Sequence, residues 1–315
     1  MNNLKTITFF QRFLIVLVLV SFSCLTRAQE VDDESEFSYE EDSETGPAHW
    51  GEIKPEWWMC RSGSMLSNID LLNERVEVVE EDSETGPALW GEIKPVWWMC
   101  NSGSMQSPID LLNERVEVVS HLGRLKRNYK PSNATLINRG HDMMLSWEAG
   151  AGSIQISGTL YQLKQCHWHS PSEHTLNGRR FDMEIHLVHE SMDNRTAVIG
   201  IMYKIGRPDS FFSMMEQDLK ALVDTRNVER AVGIIDPKLI KLGSRKYYRY
   251  IGSLTVPPCT QDISWTILRK VRTVSREQVK LIREAVHDDS DTNARPIQPL
   301  NQRPIKLYRP RDNEN

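Results

Sequence analysis

Residues 165–174 read Gln165-Cys-His167-Trp-His169-Ser-Pro-Ser-Glu173-His174. Because side chains in a β-strand alternate between its two faces, His167 and His169 point the same way. A second run, residues 181–189, reads Phe-Asp-Met-Glu-Ile-His-Leu-Val-His. It places Glu184 and His186 on one face and the last histidine on the other. If the two runs are antiparallel neighbours, His167, His169 and His186 converge.

Three imidazole nitrogens plus an open water position are typical of catalytic zinc, whereas structural zinc is closed by four protein ligands. A lone His-x-His pair is more often a surface or hydrogen-bonded core feature, but His186 with Glu184 at the same parity favours a metal site. Histidine ligands need an acceptor on their second nitrogen, and Gln165 and Glu184 are placed to supply it. Cys166 lies between two of the histidines but on the opposite face. The sequence therefore predicts a Zn²⁺ site.

Most of the chain after residue 119 has the pattern of short strands separated by Gly, Pro, Ser and Asn. The clearest are Leu145 to Trp147, Ile154 to Ile156, Gln165 to His169, Met183 to His189, Ala197 to Ile205 and Ile263 to Ile267. Two helices are predicted from capping boxes at Ser213-Met-Met-Glu216 and Ser275-Arg-Glu-Gln278. Many strands and few helices indicate one β-dominated domain, roughly residues 85–311.

The composition excludes some kinds of partner. The 315 residues include 38 Lys and Arg against 43 Asp and Glu, so no basic excess favours nucleic acid. A hydrophobic content of 39% is enough for a sizeable core. The sequence does not indicate an oligomeric state.

The N-terminal residues 1–28 are predicted to be a secretory signal peptide. Cations precede an apolar run, Phe13 to Val20, and the small residue Ala28 follows shortly after. The alternative is a membrane anchor, but the run is shorter than the ~20 residues of a transmembrane helix. We therefore expect entry into the secretory pathway, with an extracellular location or an organelle reached through it. No membrane span is expected after signal cleavage.

The next segment, residues 29–45, is strongly acidic. Glu30 to Glu44 contains nine acidic residues and no Lys or Arg. Such a segment cannot bury enough apolar surface to fold, which predicts disorder. Secretion would also allow glycosylation at Asn133-Ala-Thr and Asn194-Arg-Thr, and would let disulfides persist.

Residues 40–79 and 80–119 are near copies that differ at five positions. The pairs are His49/Leu89, Glu56/Val96, Arg61/Asn101, Leu66/Gln106 and Asn68/Pro108. Two copies do not form a stacked array, which needs at least three repeats. This is a tandem duplication, and only one copy can occupy one place in a single fold.

Three motifs carry a resemblance to a known family. They are Gln165-x-His-x-His-x-Pro-Ser-Glu-His-Thr, Glu184-x-His-x-Val-His, and Gly252-Ser-Leu-Thr-x-Pro-Pro-Cys. Together they resemble the alpha-class carbonic anhydrases, and in particular the plant secreted branch, over about Gly86 to Pro310. The resemblance implies a mainly β single domain around a central, mostly antiparallel ten-stranded twisted sheet with a few peripheral helices. Zinc would lie at the base of a conical cleft.

The resemblance also implies an activity and roles for individual residues. The reaction is the reversible hydration of carbon dioxide to bicarbonate and a proton through a zinc-bound hydroxide. Besides the zinc ligands, the matching positions are the proton shuttle His141 with the water-ordering Asn138, the hydroxyl of Thr255 with the carboxylate Glu173, the apolar wall of Val188, Val198, Leu254, Val256 and Trp265, and the buried network of Asn293 and Arg295. Without the resemblance, the wall residues are ordinary core residues and His141 a turn residue.

Cys100 and Cys259 match two positions that form a disulfide in the secreted branch. The second copy, with Gln106-Ser-Pro108, matches the family's segment and is expected to dock, whereas residues 40–79 form a degenerate, undocked duplicate. Cys60 is then left without an evident partner. Three alternatives stay open: a storage or binding protein without catalysis, a zinc-dependent esterase, and a product that the duplication inactivates.

Overall fold

The computed structural model describes residues 87–223, 225, 228–284 and 292–310. The predicted signal peptide, the acidic segment, the first copy and Cys60 lie outside the described residues. Among the described residues, no helix combines the length and the apolar character needed to cross a membrane.

The described part of the chain is mainly β. Its strands are β1 (Asp110–Leu111), β2 (Val116–Val118), β3 (Lys126–Tyr129), β4 (Ser132–Asn138), β5 (Met143–Trp147), β6 (Gly152–Ile156), β7 (Thr159–His169), β8 (Thr175–Leu176), β9 (Met183–Ser191), β10 (Thr196–Ile205), β11 (Glu229–Ile235), β12 (Tyr247–Ser253), β13 (Gln261–Leu268), β14 (Arg272–Val274) and β15 (Ile305–Tyr308). Its α-helices are α1 (Trp90–Ile93), α2 (Met99–Ser102), α3 (Ser210–Lys220) and α4 (Arg276–Glu284). Short 3₁₀ turns occupy Pro95–Trp97, Asn113–Arg115, Ser120–Leu122 and Pro237–Leu239.

One large sheet organises these strands. Its main path within the described residues runs β11-β4-β5-β7-β9-β10-β13-β12-β15-β2, with β3, β6 and β14 attached beside it. Neighbours on this path are antiparallel except for the β10–β13 and β15–β2 pairs. This confirms the predicted fold class, a mainly β domain around a large and mostly antiparallel sheet, but the sheet of the described residues has 13 strands where ten were predicted.

The strand pairing places the two faces of the sheet in different surroundings. Cys166, Trp168, Ile185 and Leu187 alternate with the three histidines, and all four belong to the larger apolar core. The opposite face carries the histidines and a second apolar cluster that includes Trp265. The period-2 alternation of β7 and β9 thus separates a packed core from the candidate site.

Both predicted helices exist, but one begins earlier than expected. At α4, Ser275 Oγ accepts from Gln278 N at 3.2 Å, and Gln278 Oε1 accepts from Ser275 N at 3.1 Å, a reciprocal capping box. At α3 the prediction of a cap at Ser213 is wrong. Asp209 caps this helix by accepting from Phe211 N at 2.9 Å, and Ser213 lies within the first turn. A carboxylate satisfies the exposed N–H groups of a helix start as well as a hydroxyl does.

Candidate metal centre

Three buried histidines meet on one face of the central strands. β7 and β9 pair antiparallel, with His167 directly opposite His186 and His169 opposite Glu184. The ring centroids lie 5.0 Å (167–169), 5.2 Å (167–186) and 4.6 Å (169–186) apart. One potential ligand atom from each ring lies within 4.8 Å of the others. The structure therefore brings together the three residues that the sequence predicts as zinc ligands.

Each ring is oriented by a hydrogen bond from its other nitrogen. His167 Nδ1 donates to Gln165 Oε1 at 3.0 Å, and His186 Nε2 donates to Glu184 Oε1 at 3.0 Å. His169 Nδ1 donates to the main-chain carbonyl of Asn293 at 2.7 Å. The nitrogens suited to a metal are then Nε2 of His167 and His169 and Nδ1 of His186. Such outer acceptors fix the ring orientation and increase ligand basicity.

A buried carboxylate faces the same nitrogens. Glu173 is 1% exposed, and its Oε2 lies 3.6 Å from His169 Nε2 and 3.8 Å from His186 Nδ1. Neither Glu173 Oε2 nor His169 Nε2 has a hydrogen-bond partner among the described residues. Buried polar atoms are almost always paired, so these two mark a place suited to a further polar group or ion. Three imidazoles and an adjacent carboxylate fit a zinc ion.

The environment sets the charge of each group. Burial lowers the pKa of His167 well below its usual value and also lowers the pKa of His186, so both rings are neutral as metal ligation requires. Burial also opposes charge on His169, but the Glu173 carboxylate and the Asn293 carbonyl raise its pKa. Burial alone would raise the pKa of Glu184, but His174 and His186 hold it well below its usual range. Glu184 is therefore a carboxylate that accepts from both.

A hydrogen-bond chain that the sequence did not reveal supports Glu184. His174 donates to Glu184 Oε1 through Nδ1 at 2.8 Å, and its Nε2 lies 2.7 Å from the hydroxyl of Tyr250. That hydroxyl lies 2.8 Å from Ser107 Oγ. Both ring nitrogens of His174 are thus used, so it supports Glu184 and is not a ligand.

Gly200 provides the space that Glu184 occupies. It lies opposite His186 on β10. A Cβ added at Gly200 would lie 2.7 Å from Glu184 Oε1 and 2.6 Å from Ile267 Cδ1. The sequence alone does not identify Gly200, because a glycine within a strand can mark either a bulge or a close approach.

Thr255 and Glu173, which the resemblance pairs, are not hydrogen-bonded to each other among the described residues. Thr255 is buried in the loop after β12. Glu173 Oε1 accepts from the main-chain N–H of Arg295 at 2.9 Å, and Oε2 turns toward the histidine nitrogens instead. The attraction between the Glu173 carboxylate and the ring of His169, whose pKa this carboxylate raises, accounts for the orientation.

Asn293, which the resemblance assigns with Arg295 to a buried network, is half-buried and makes hydrogen bonds to two other segments. Asn293 Nδ2 donates to the carbonyls of His141 at 2.8 Å and Trp168 at 3.0 Å, while its Oδ1 accepts from Ser170 N at 2.8 Å. It therefore ties the His141 turn to the strand that carries His169. The use of a main-chain carbonyl as the acceptor for His169 has no sequence signal.

The predicted shuttle His141 lies in a tight turn, half-buried. Arg139 N donates to the carbonyl of Asp142 at 2.9 Å, and Arg139 Nε donates to Asp142 Oδ1 at 2.7 Å, which closes the turn twice. The prediction that Asn138 orders a water for the shuttle is not supported. Its side chain is 0% exposed, donates to Leu222 O at 3.0 Å and accepts from Gly140 N at 2.9 Å. The Asn138 side chain therefore stabilises the turn that carries His141.

Four of the five predicted wall residues share one apolar cluster. Val188 and Trp265 both lie opposite Val198 on neighbouring strands, and Leu254 packs in the same cluster. The Trp265 ring lies 4.8 Å from the His186 ring, centroid to centroid. Val256 is not part of this cluster. It lies in the same loop as Leu254 and Thr255, and its carbonyl accepts from Cys259 N at 2.9 Å.

The second copy of the duplication is attached to the residues around the site. Cys100 and Cys259 are joined by a disulfide across 159 residues of sequence. Arg295 Nη1 donates to the carbonyl of Ser107 at 2.8 Å, and its Nη2 donates to that of Cys100 at 2.8 Å. The N-terminal segment is therefore bound to the loop that follows Thr255.

The remaining candidates lie away from this centre. Cys166 is a buried free thiol on the core face. His189, also on that face, has Nε2 2.7 Å from the Tyr129 hydroxyl and Nδ1 3.2 Å from the Ala197 carbonyl. Of the two glycosylation candidates, Asn133 is exposed on β4, and Asn194 is half-buried in the turn between β9 and β10.

Comparisons with known proteins agree on one family. The family model of eukaryotic-type carbonic anhydrases matches residues 85–309. Alpha carbonic anhydrase 7 of Arabidopsis thaliana is 51% identical over 309 residues, 98% of each chain. A crystal structure of dioscorin complexed with ascorbate is 44% identical, with a TM-score of 0.72 over 74% of this chain and 97% of the other. The alpha carbonic anhydrase of Thermovibrio ammonificans, solved with the inhibitor sulfanilamide, is 32% identical, with a TM-score of 0.65 over 71% of this chain and 96% of that one.

Proposed function

The chain belongs to the alpha carbonic anhydrase family, and we propose that it catalyses the reversible hydration of carbon dioxide to bicarbonate and a proton with a zinc ion bound by His167, His169 and His186. One observation carries this proposal. All three rings are buried, converge within 4.8 Å, and have their other nitrogen held by an acceptor. That arrangement is suited to a tetrahedral metal with one open position.

A zinc ion held by the three histidines would supply a nucleophile from water at neutral pH, the general chemistry of this class of site. The residues of the chain provide the rest of the environment. Val198, Leu254 and Trp265 give an apolar surface beside His186 on which a nonpolar gas can rest. A low-dielectric wall also strengthens the electrostatic interactions within the site.

We assign the unpartnered oxygen of Glu173 to orientation of the nucleophile. This carboxylate can accept a hydrogen bond from the hydroxyl of Thr255, which the resemblance places beside it. Thr255 would then be fixed as an acceptor for the attacking group, a positioning effect that lowers the barrier by holding the reacting atoms in line.

His141 is assigned to proton export. An imidazole can accept and release a proton near neutral pH, which a carboxylate or an amine does less well. The closed turn from Arg139 to Asp142 and the hydrogen bond from Asn293 hold the His141 main chain in place beside the strand of His169.

The test is zinc content together with carbon dioxide hydration by the purified protein. We expect one zinc per chain and an activity that a chelator removes and added zinc restores. Full activity after complete removal of zinc would contradict the proposal. Bound zinc with no hydration activity would favour the alternative of a catalytically weak binding protein, and faster turnover of activated esters than of carbon dioxide would favour an esterase.

We also propose that the protein enters the secretory pathway. The disulfide between Cys100 and Cys259 supports this, because such bonds persist in oxidising compartments. Asn133 is the better candidate for glycosylation because it is exposed, whereas Asn194 is half-buried. Mass spectrometry of protein isolated from its host would detect the cleaved N-terminus and any glycan.

A further inference from the structure

One end of the domain carries a concentration of basic side chains. The exposed cations there include Arg124, Lys126, Arg127, Lys241, Lys246, Arg269, Lys270 and Arg309. We call this set the basic pole. It is remote in sequence from the histidine centre and has no part in the proposed reaction.

Contacts between four separate segments assemble the pole. Tyr247 lies opposite both Leu268 and Tyr308, so β12, β13 and β15 end together, and Arg269 N donates to Lys246 O at 3.0 Å. The hydroxyl of Tyr247 donates to the carbonyl of Gly123 at 2.9 Å. These bonds bring the cations of the segment after β2 to the end of the sheet.

Two further contacts complete the pole. Arg127 Nη1 donates to Ile240 O at 3.4 Å. Lys270 also lies beside Gly243: a Cβ added at Gly243 would be 3.5 Å from Lys270 Cδ. The segments 120–130, 236–249, 268–276 and 305–310 thus form one surface.

Little negative charge compensates this surface. The four segments contain a single acidic residue, Asp236, and its carboxylate accepts from Lys238 N at 2.9 Å. None of the eight cations forms an ion pair within the part of the chain that the structure describes. Like charges repel, so a surface of this kind favours an anionic partner.

The chain itself contains a matching anion. Glu30 to Glu44 carries nine carboxylates and no Lys or Arg. The described chain begins at Pro87 and is fixed by the disulfide to Cys259, beyond the far end of β12 from the pole. β12 has seven residues, and at about 3.3 Å per residue it spans roughly 23 Å. Residues 45–86 could bridge up to about 150 Å at ~3.3–3.6 Å per residue.

We propose that the acidic segment Glu30–Glu44 docks on the basic pole of the same molecule. Tethering gives the segment an effective concentration in the millimolar range, so weak individual ion pairs can sum to a populated contact. The contact is screened by salt, since exposed charges interact little beyond a Debye length of about 10 Å at 0.1 M.

Lysine acetylation followed by mass spectrometry tests the contact. The comparison is between the full chain after signal cleavage and a variant in which the nine acidic residues of Glu30–Glu44 become the corresponding amides. At low salt we expect Lys126, Lys241, Lys246 and Lys270 to react at least about twofold more slowly in the unmodified chain, the effect of a tethered partner. Lys164 and Lys280, outside the pole, serve as internal controls with equal rates in both proteins. High salt should remove the difference.

Equal reaction rates at the pole in the two proteins at low salt would overturn the proposal. Zero-length cross-linking in a mixture of light and heavy isotope-labelled chains gives the second measurement. We expect cross-links between the segment and pole lysines within one isotope label. Mixed-label cross-links at about half of the total, the share that random pairing gives in an equimolar mixture, would overturn the proposal in favour of association between two chains. Zinc content and hydration activity, which do not involve the pole, verify that the variant is folded.

Discussion

The side chains of Gln106 and Arg295 meet inside the fold, where Arg295 Nη1 donates to Gln106 Oε1 at 2.8 Å. Both residues are nearly inaccessible, at 3% and 2% exposure. Gln106 Nε2 also donates to the carbonyl of Cys259 at 3.1 Å. The first copy of the duplication has Leu66 at the corresponding position, which can neither accept from the guanidinium nor donate to the carbonyl.

The two copies should therefore not be interchangeable. Deletion of residues 40–79 should preserve zinc binding and activity. Deletion of residues 80–119, which joins the first copy to Ser120, should lower the free energy of unfolding, because each buried polar group left unpaired costs about 1–3 kcal/mol. Urea unfolding of both deletion proteins measures the difference. Gln106→Leu in the full chain is the matched single change and should cost a similar amount. Equal stability of the two deletion proteins would show that the place occupied by residues 87–119 accepts either copy.

Loss of His186 should abolish both metal binding and catalysis. His186→Ala leaves two ligands, and a site with two nitrogens should lose most of its zinc affinity. His189→Gln is the matched control, since His189 is equally buried in the same strand but on the core face. We expect near-stoichiometric zinc in the control and little in His186→Ala by elemental analysis. Retained zinc and activity in His186→Ala would refute the ligand assignment.

His141→Ala should slow turnover mainly in weak buffer. Export of the proton, and not attack on carbon dioxide, is the step assigned to this side chain. Turnover at saturating carbon dioxide should therefore recover as imidazole is added, while the catalytic efficiency kcat/KM changes little. A defect that persists at every buffer concentration would mean that His141 acts elsewhere in the reaction.

Acid should destabilise the fold through His189. Burial lowers the pKa of His189 to about 4, against an ordinary value of about 6.5. The neutral ring therefore stabilises the fold above pH 6.5, and this contribution is lost as the pH falls toward 4. The shift of about 2.5 units corresponds to roughly 3 kcal/mol. Chelator-treated wild type should lose that much more stability than chelator-treated His189→Gln between pH 7 and pH 4 in urea unfolding. Parallel pH profiles would show that His189 does not titrate with unfolding.

Strand periodicity made the ligand strands predictable. The parity of His167, His169 and His186 requires only alternation and antiparallel pairing, and both are observed. Contacts that depend on the main chain or on distant residues were not predictable without a family resemblance. The Asn293 carbonyl that accepts from His169 is a backbone atom without a sequence signature. The contact between His174 and Tyr250 joins residues 76 positions apart.

Helix starts were predictable only in part. Ser275 and Gln278 are in a local motif and form the expected reciprocal bonds. The motif at Ser213 competed with the nearby Asp209, whose carboxylate reaches the first free N–H of the helix. Sequence alone does not rank two such caps four residues apart, because tertiary packing decides where the helix begins.

The pairing of β2 with β15 joins Val118 to Leu307, residues that are far apart in the sequence. During synthesis at about 5–20 residues per second, β2 would wait roughly 10–40 s for this partner to be made. Arg295, which binds the second copy, is also made late. Both copies leave the ribosome long before their binding partners are made. The first copy therefore gains no advantage from being synthesised earlier. The choice between the copies is therefore made after translation, by the relative stability of the two docked forms.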